Sequence, residues 1–173
     1  MKSKPSKISF PPVASSDYDR VRKLACEIWP RVYRELISDA QISYMIDLMY
    51  SPRQLREDVE SREIRYHWIQ HDRKQVGFLA FGPVASESPS TLHKLYLLTE
   101  FQGMGIGSAA LQWVVEELRS SRASEVNLRV NRGNSAAIRC YERSGFEKVG
   151  EDCLDIGEGF VMDDFLMRRC LNP

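Results

Sequence analysis

Residues 95–108, LYLLTEFQGMGIGS, lead an apolar strand pattern into three alternate glycines, from which a helix begins directly. Glycine has no side chain, so the backbone N–H groups around Gly103, Gly105 and Gly107 can approach a ligand closely. These amides lie at a helix N-terminus, where the helix dipole is positive. The stretch therefore predicts a binding site for a phosphate or pyrophosphate group.

Two other phosphate-binding motifs fit this stretch less well. A P-loop requires Lys followed by Ser or Thr after its last glycine, whereas Ser108 and Ala109 follow Gly107. Residues 105–110, GIGSAA, do match the dinucleotide pattern G-x-G-x-x-A, so a dinucleotide-dependent oxidoreductase is left open as an alternative. Against it, residues 99–102 separate the glycines from the strand, and the next predicted strand ends without an acidic residue.

A second motif follows at residues 134–146, NSAAIRCYERSGF. It is similar to the N-x-x-A-x-x-x-Y-x-x-x-G-F block of the GNAT superfamily of N-acetyltransferases, and residues 102–107, QGMGIG, resemble that family's Q/R-x-x-G-x-G/A signature. The resemblance covers most of the chain and is most specific from Leu92 to Phe146. It implies acetyl-CoA-dependent transfer of an acetyl group to a primary amine, by direct attack on the thioester in a ternary complex. A non-catalytic acyl-CoA-binding module is the other alternative.

Hydrophobic periodicity predicts the element order of the whole chain. Predicted helices cover residues 17–34, 38–49, a short segment from Ser51-Pro52, 105–120 and 134–143. Predicted strands cover 8–13, 65–70, 75–82, 91–98, 125–130, 146–150 and 160–168, with a polar loop at 86–90 and a loop containing Gly157 and Gly159. The order implies one α/β (α+β) domain over residues 1–173, whose mixed, mostly antiparallel, GNAT-like sheet has about six to seven strands with helices on both faces.

The resemblance also implies where acetyl-CoA binds as a co-substrate. Its pantetheine arm is expected where the strand ending at Leu97 splays from the strand ending at Val130, and to pair with exposed strand backbone. The Leu97 amide would then stabilise the oxyanion. The implied cofactor-binding residues are Leu95, Tyr96, Leu97, Gln102, Gly103, Met104, Gly105, Ile106, Gly107, Ser108, Asn134, Ala136, Ala137 and Tyr141.

Two side chains are candidate catalytic groups. Tyr141 occupies the tyrosine position of the family block, which implies that it gives a proton to the thiolate as the C–S bond breaks. His93 stands where many family members carry a Glu, and a histidine titrates in the range needed to take the proton of the amine. Arg129 occupies another familiar position of a catalytic Glu, so that role cannot be transferred to this chain.

The acceptor is expected to be a small-molecule amine, or an amine of a protein or peptide. Residues 93–96 and 155–167 are similar to a bacterial branch of the family in which some members acetylate diamines and polyamines. Five carboxylates are expected to make the acceptor side of the cleft acidic and so attract a cationic amine. They are Glu35, Asp39, Asp47, Asp163 and Asp164.

Composition disfavours other classes of protein. The chain has 24 basic and 24 acidic residues, so its formal net charge of zero disfavours nucleic-acid binding. Its apolar runs are too short to cross a membrane, and residues 1–7 are expected to form a flexible leader rather than a signal peptide. The cysteines and histidines lack metal-binding spacing, so we expect free thiols and no metal. A cytoplasmic enzyme is the resulting expectation, and a homodimer is left open.

Overall fold

The computed structural model describes residues 7–171, so most of the expected leader lies outside the described residues. The helices are α1 (Tyr18–Tyr33), α2 (Asp39–Tyr50), α3 (Pro52–Glu60), α4 (Ile106–Ser120) and α5 (Ser135–Arg143). The strands are β1 (Ile8–Ser9), β2 (Arg65–His71), β3 (Lys74–Gly82), β4 (Pro89–Leu97), β5 (Glu125–Asn131), β6 (Glu147–Gly157) and β7 (Phe160–Cys170). Within residues 7–171, no helix combines the length and apolar character needed to cross a membrane.

The strands form one seven-stranded sheet in the order β1-β2-β3-β4-β5-β7-β6. Every pair is antiparallel except β4 and β5, which are parallel and separated in sequence by α4. The prediction of a mixed, mostly antiparallel sheet is therefore confirmed. The parallel pair needs a crossover connection, and α4 supplies it by returning the chain beside β4 in the same direction.

Helices cover both faces of this sheet, as predicted. On one face, α4 packs its apolar side against residues of β3, β4 and β5, including Leu79, Leu97 and Leu128. On the other face, α1, α2 and α3 enclose Phe78 and Ala80 of β3 together with Trp68 of β2. Alternate residues of the central strands therefore enter two separate cores, as the period of a strand requires.

Three predicted boundaries were wrong. The β6 strand continues to Gly157 rather than ending at 150. Its Asp152 and Glu151 carboxylates form ion pairs with Arg129 and Arg132, so these charged residues can lie in a paired strand. The loop at 86–90 is shorter than predicted, because β4 begins at Pro89 and pairs with β5 from there. Only residues 8–9 form β1, whose continuation is interrupted by prolines that cannot donate a hydrogen bond.

Candidate active site

The parallel pairing of β4 and β5 lasts for only four residues, from Pro89 to Leu92 on β4. Beyond Leu92 the two strands separate, although β4 stays paired with β3 and β5 stays paired with β7. A cleft of about 1010 Å³ opens at this separation and extends from the glycine turn to α1, α2 and the β6–β7 hairpin. The strands thus splay where the sequence predicted.

The free edge of β4 presents backbone donors to this cleft. Leu97 lies opposite Gly77, and the neighbouring bond from the Leu98 N–H to the Val76 carbonyl makes this a non-hydrogen-bonded pair of the antiparallel ladder. The Leu97 N–H therefore points away from β3 and toward the cleft. Its carbonyl accepts a hydrogen bond from Gln102 Nε2 at 3.2 Å, which ties the glycine turn to the end of β4.

The glycine turn supplies a second set of donors. Gly103 and Gly105 have φ values of 75° and 79°, a region that other residues rarely adopt, and Gly105 is the N-cap of α4. Within residues 7–171, none of the six backbone amides from 103 to 108 donates a hydrogen bond to a protein group. Six unpaired amides at the start of a fifteen-residue helix form a site that favours a phosphate anion.

Most of the predicted cofactor residues line this one cleft. They are Leu95, Tyr96, Leu97, Gln102, Gly103, Gly105, Gly107, Ser108, Asn134, Ala136, Ala137 and Tyr141. Met104 and Ile106 are placed differently, since the Met104 side chain is exposed and the Ile106 side chain is buried in the core beneath α4. Ile106 can therefore meet a ligand at the turn only through its backbone amide, and Met104 does not line the cleft.

Helix α5 forms the opposite wall of the cleft. Asn134 caps it, with Oδ1 accepting a hydrogen bond from the Ala137 N–H at 3.1 Å. One turn apart on the exposed side, Arg139 and Arg143 also line the cleft, and neither forms an ion pair with a described residue. These two arginines were not predicted as site residues, although their i, i+4 spacing after the Asn134 cap was a usable signal.

Tyr141 projects from α5 into the cleft beside Phe146, with a distance of 5.8 Å between ring centroids. Its hydroxyl has no hydrogen-bond partner among the described residues. Burial, and secondarily the nearby Tyr33, raises the pKa of Tyr141 well above its ordinary value. The phenol is therefore protonated at neutral pH and free to donate a hydrogen bond to a bound molecule.

His93 is the extra residue of a β-bulge in β4. Ala80 pairs with Lys94 and Phe81 pairs with Leu92, so His93 has no partner on β3, and its side chain lines the cleft. Its Nε2 lies 3.0 Å from the Gly82 carbonyl oxygen, an acceptor, which assigns the proton to Nε2 and leaves Nδ1 free to accept. Burial is the main cause of a lowered pKa, so the His93 imidazole is neutral at pH 7.

The cleft does not have the acidic character that was expected. Asp47 and Asp163 form ion pairs with Arg22 and Arg132. Glu35 and Asp39 are exposed and do not line the cleft. Among the five expected carboxylates, only Asp164 lines it, and its Oδ2 lies 3.2 Å from Arg129 Nε. The basic side chains that line the cleft are Arg31, Arg62, Lys94, Arg129, Arg139 and Arg143.

The four cysteines, Cys26, Cys140, Cys153 and Cys170, are all free thiols. Cys140 lies nearest to the glycine turn, with its Sγ 3.9 Å from Ser108 Oγ. In the part of the chain that the structure describes, no three His, Cys, Asp or Glu side chains are arranged as a metal site. The polar groups of the cleft are amides, hydroxyls, an imidazole, basic side chains and the Asp164 carboxylate.

Comparison with known sequences agrees with this geometry. A family model described as "Acetyltransferase (GNAT) family" matches residues 27–146. An uncharacterized N-acetyltransferase of Mycobacterium tuberculosis is 25% identical over 154 residues, which cover 89% of this chain and 98% of that protein. The mycothiol acetyltransferase of Acidothermus cellulolyticus is 32% identical over 94 residues, which cover 53% of this chain and 28% of that protein.

Solved structures have the same fold. The PaiA N-acetyltransferase of Thermoplasma acidophilum, solved in complex with coenzyme A, has a TM-score of 0.78 and 24% identity, covering 95% of this chain and 99% of that one. An acetyltransferase of Salmonella typhimurium, solved with acetyl-CoA, has a TM-score of 0.64 and 16% identity, covering 98% of this chain and 95% of that one. Since the family model spans most of the chain, this protein is an acyltransferase that belongs to the acetyltransferase (GNAT) family.

Proposed function

We propose that this enzyme transfers the acetyl group of acetyl-CoA to the primary amine of a small molecule, in one direct step with both substrates bound. The observation that carries this proposal is the continuity of the cleft. It joins the unpaired amides of the glycine turn, the Leu97 N–H on the free edge of β4, and the Tyr141 hydroxyl. These groups match, in order, a pyrophosphate, a thioester carbonyl and a departing sulfur.

Acetyl-CoA would be held by three groups of contacts. The backbone amides of residues 103–108 would bind the pyrophosphate, and Arg139 and Arg143, which line the same cleft on α5, would contribute positive charge to the phosphates. The splayed backbone of Leu95 and Leu97 would pair with the amide groups of the pantetheine arm. The Leu97 N–H would also stabilise negative charge on the carbonyl oxygen during attack, a contribution of about 2.7–4 kcal/mol for one such donor.

Two protons must move during the transfer. An alkylamine has a pKa near 10 and is mostly charged at neutral pH, so a base must remove one proton before the nitrogen attacks. The free Nδ1 of His93 is suited to accept that proton. The Tyr141 phenol donates its proton to the sulfur as the C–S bond breaks, so that CoA leaves as a thiol. The phenolate then regains a proton from the nitrogen, which loses its second proton as the amide forms.

The function is tested with the purified chain. Acetyl-CoA is expected to raise the melting temperature in a concentration-dependent manner, whereas NAD and NADP are not. A panel of primary amines is then screened for release of free CoA with a thiol reagent. Stabilisation by NAD alone would favour an oxidoreductase. Binding of acetyl-CoA with no transfer to any amine would favour a non-catalytic acyl-CoA-binding module.

The pH dependence tests the role of His93. The rate of transfer requires the neutral imidazole, and burial lowers the pKa of His93 below 6.5. We therefore expect kcat/KM to fall as the pH decreases through a value below 6.5, and this acidic limb to disappear in His93→Gln. The glutamine Nε2 can still donate to the Gly82 carbonyl, so binding of acetyl-CoA is expected to be unchanged.

His67 provides a matched control. It is also partly buried, bonds a backbone carbonyl through Nδ1 at 2.9 Å from the Phe10 oxygen, and has a lowered pKa, but it lies outside the cleft. His67→Gln is expected to keep the acidic limb. If the limb persists in His93→Gln and shifts when a less basic arylamine replaces the alkylamine, the protein supplies no base at this position and water removes the proton.

A further inference from the structure

A side cavity of about 220 Å³ lies between α2, α3 and the bulge of β4. It adjoins the acceptor end of the cleft, which is the end opposite the glycine turn, near α1 and α2. It is lined by Leu48, Met49, Gln54, Asp58, Arg62 and Lys94. Leu48, Met49, Arg62 and Lys94 also line the main cleft, so the two spaces adjoin. Nothing in the proposed transfer of the acetyl group uses the charged side chains at this junction.

Asp58 is buried, and its carboxylate is already fully engaged by protein groups. It accepts hydrogen bonds from Gln54 Nε2 and Arg62 Nη1, both at 3.0 Å, and from the Tyr66 hydroxyl at 2.6 Å. The Arg62 guanidinium therefore balances the charge of the Asp58 carboxylate. Because the Nζ of Lys94 also lies 3.9 Å from Asp58 Oδ2, this group already has more positive than negative charge and does not favour a cationic ligand.

Lys94 is the remaining charge, and its ammonium group has no strong partner. Its side chain is 11% exposed, its Nζ is 3.9 Å from Asp58 Oδ2, and it donates no hydrogen bond to any described residue. The Nζ lies over the rings of Tyr50 and Tyr66, at 5.1 and 5.7 Å from their centroids. A buried ammonium with unused donors is costly unless an anion completes its coordination.

The lowered pKa of Lys94 agrees with a charge that lacks a sufficient counter-ion. Burial is the main cause that lowers the pKa of Lys94 to about 8, opposed by the nearby Asp58 carboxylate. The ammonium is still mostly charged at neutral pH. The junction thus has two cations, Arg62 and Lys94, against one carboxylate, and it faces the acceptor end of the cleft with an excess of one positive charge.

We propose that the acceptor amine also carries a carboxylate, which binds the ammonium group of Lys94. This inference rests on the proposed acetyl transfer and specifies the substrate class of the same site. The nearby side chains of Met45, Leu48 and Met49 favour an apolar body between the amine and the carboxylate. Leu97 follows Lys94 by three positions on β4, a rise of about 10 Å along the backbone between the two ends of the acceptor site.

The same observations disfavour a polyamine. Within the described residues, the carboxylates at the cleft are Asp164, paired with Arg129, and the adjoining Asp58, which Arg62 neutralises. The aromatic faces of Tyr50 and Tyr66, which could bind an alkylammonium group, are already occupied by Lys94. A second or third ammonium group would therefore meet uncompensated positive charge.

The experiment compares matched acceptors that differ only in the carboxylate. The pairs are ε-aminocaproate with pentylamine and 8-aminooctanoate with heptylamine, in which an apolar chain separates the amine from the carboxylate, and spermidine is included as a polycation. The wild-type enzyme is expected to favour the acid in at least one pair by roughly tenfold or more in kcat/KM, and spermidine is expected to be poor. Equal or better transfer to the decarboxylated amines or to spermidine would overturn the inference.

Variants of Lys94 assign the preference to its ammonium group. Lys94→Met is expected to abolish the preference by raising KM for the acid alone, while Lys94→Arg retains it and Lys23→Met, at an exposed position, has no effect. A preference that survives Lys94→Met overturns the inference, as does an equal loss of kcat for both members of a pair, which would make Lys94 a base.

If no amine is acetylated and acetyl-CoA does not bind, the proposed function itself fails. If Lys94→Met does not fold, the comparison of acid with amine in the wild-type enzyme and in Lys94→Arg still tests the inference.

Discussion

Replacement of Gly107 by valine is expected to weaken CoA binding by about 10²-fold or more while leaving the fold intact. A Cβ at this position would lie 3.7 Å from Leu97 Cδ1 and 3.8 Å from Cys140 Sγ, which is ordinary contact. Because Gly107 lines the cleft beside the unpaired amides, the valine methyl groups are expected to obstruct the approach of the pyrophosphate to those amides. Loss of two charge-assisted hydrogen bonds, each worth about 1.5–3 kcal/mol, accounts for an effect of this size.

Stability separates this effect from misfolding. Valine is a slightly better helix former than glycine, so Gly107→Val is expected to change the free energy of unfolding by less than about 0.5 kcal/mol. Isothermal titration with CoA gives the affinity, and thermal unfolding without ligand gives the stability. Gln112→Val, at an exposed position of α4, is the control for a β-branched residue in this helix.

Gly105→Val tests the same site through the backbone. At a φ of 79° the valine is strained, at a cost of about 1–2 kcal/mol, and relief of the strain would turn the neighbouring amides away from the phosphate. Gly159 has the same φ of 79° and equally open surroundings, but it lies in the β6–β7 turn, so Gly159→Val has the strain without the loss of affinity. Unchanged CoA affinity in both glycine-turn variants would place the phosphates elsewhere.

The glycine turn could be predicted because its information is local. Gly103 and Gly105 adopt positive φ values that only glycine accepts easily, and the strand and helix on either side have clear periodicity. The positions of Leu97 and Tyr141 in the cleft could likewise be predicted from the two family motifs. In each case the residues that define the feature lie close together in the chain, within residues 95–108 or within residues 134–146.

Features that depend on distant partners could not be predicted. The bulge at His93 is set by its register against β3, and the long β6 strand is supported by ion pairs such as that of Asp152 with Arg129. The expectation of an acidic acceptor side of the cleft was wrong for the same reason, because Asp163 is paired with Arg132, which lies 31 residues earlier in the chain. A charge pattern in the sequence gives the sign of each group but not the counter-ion that folding places beside it.

Tyr141→Phe is expected to lower kcat by about 10²-fold with little change in the Kd of acetyl-CoA. The hydroxyl has no hydrogen-bond partner among the described residues, so its proposed function is required only as the sulfur departs. An interaction that forms mainly in the transition state affects kcat rather than binding of the ground state. Single-turnover kinetics and equilibrium binding of acetyl-CoA measure the two quantities separately.

A tyrosine outside the cleft distinguishes this role from packing. The Tyr44 hydroxyl donates to the Ile156 carbonyl and Tyr44 does not line the cleft, so Tyr44→Phe removes a structural hydrogen bond and is expected to lower stability with a much smaller effect on kcat. Tyr141→Phe should show the reverse, because it keeps the ring that packs on Phe146 and removes only the free hydroxyl. Full activity of Tyr141→Phe would mean that water protonates the thiolate. A parallel decrease in Tm, in affinity for acetyl-CoA and in kcat would mean that the hydroxyl of Tyr141 supports the wall of the cleft and gives no proton to the sulfur.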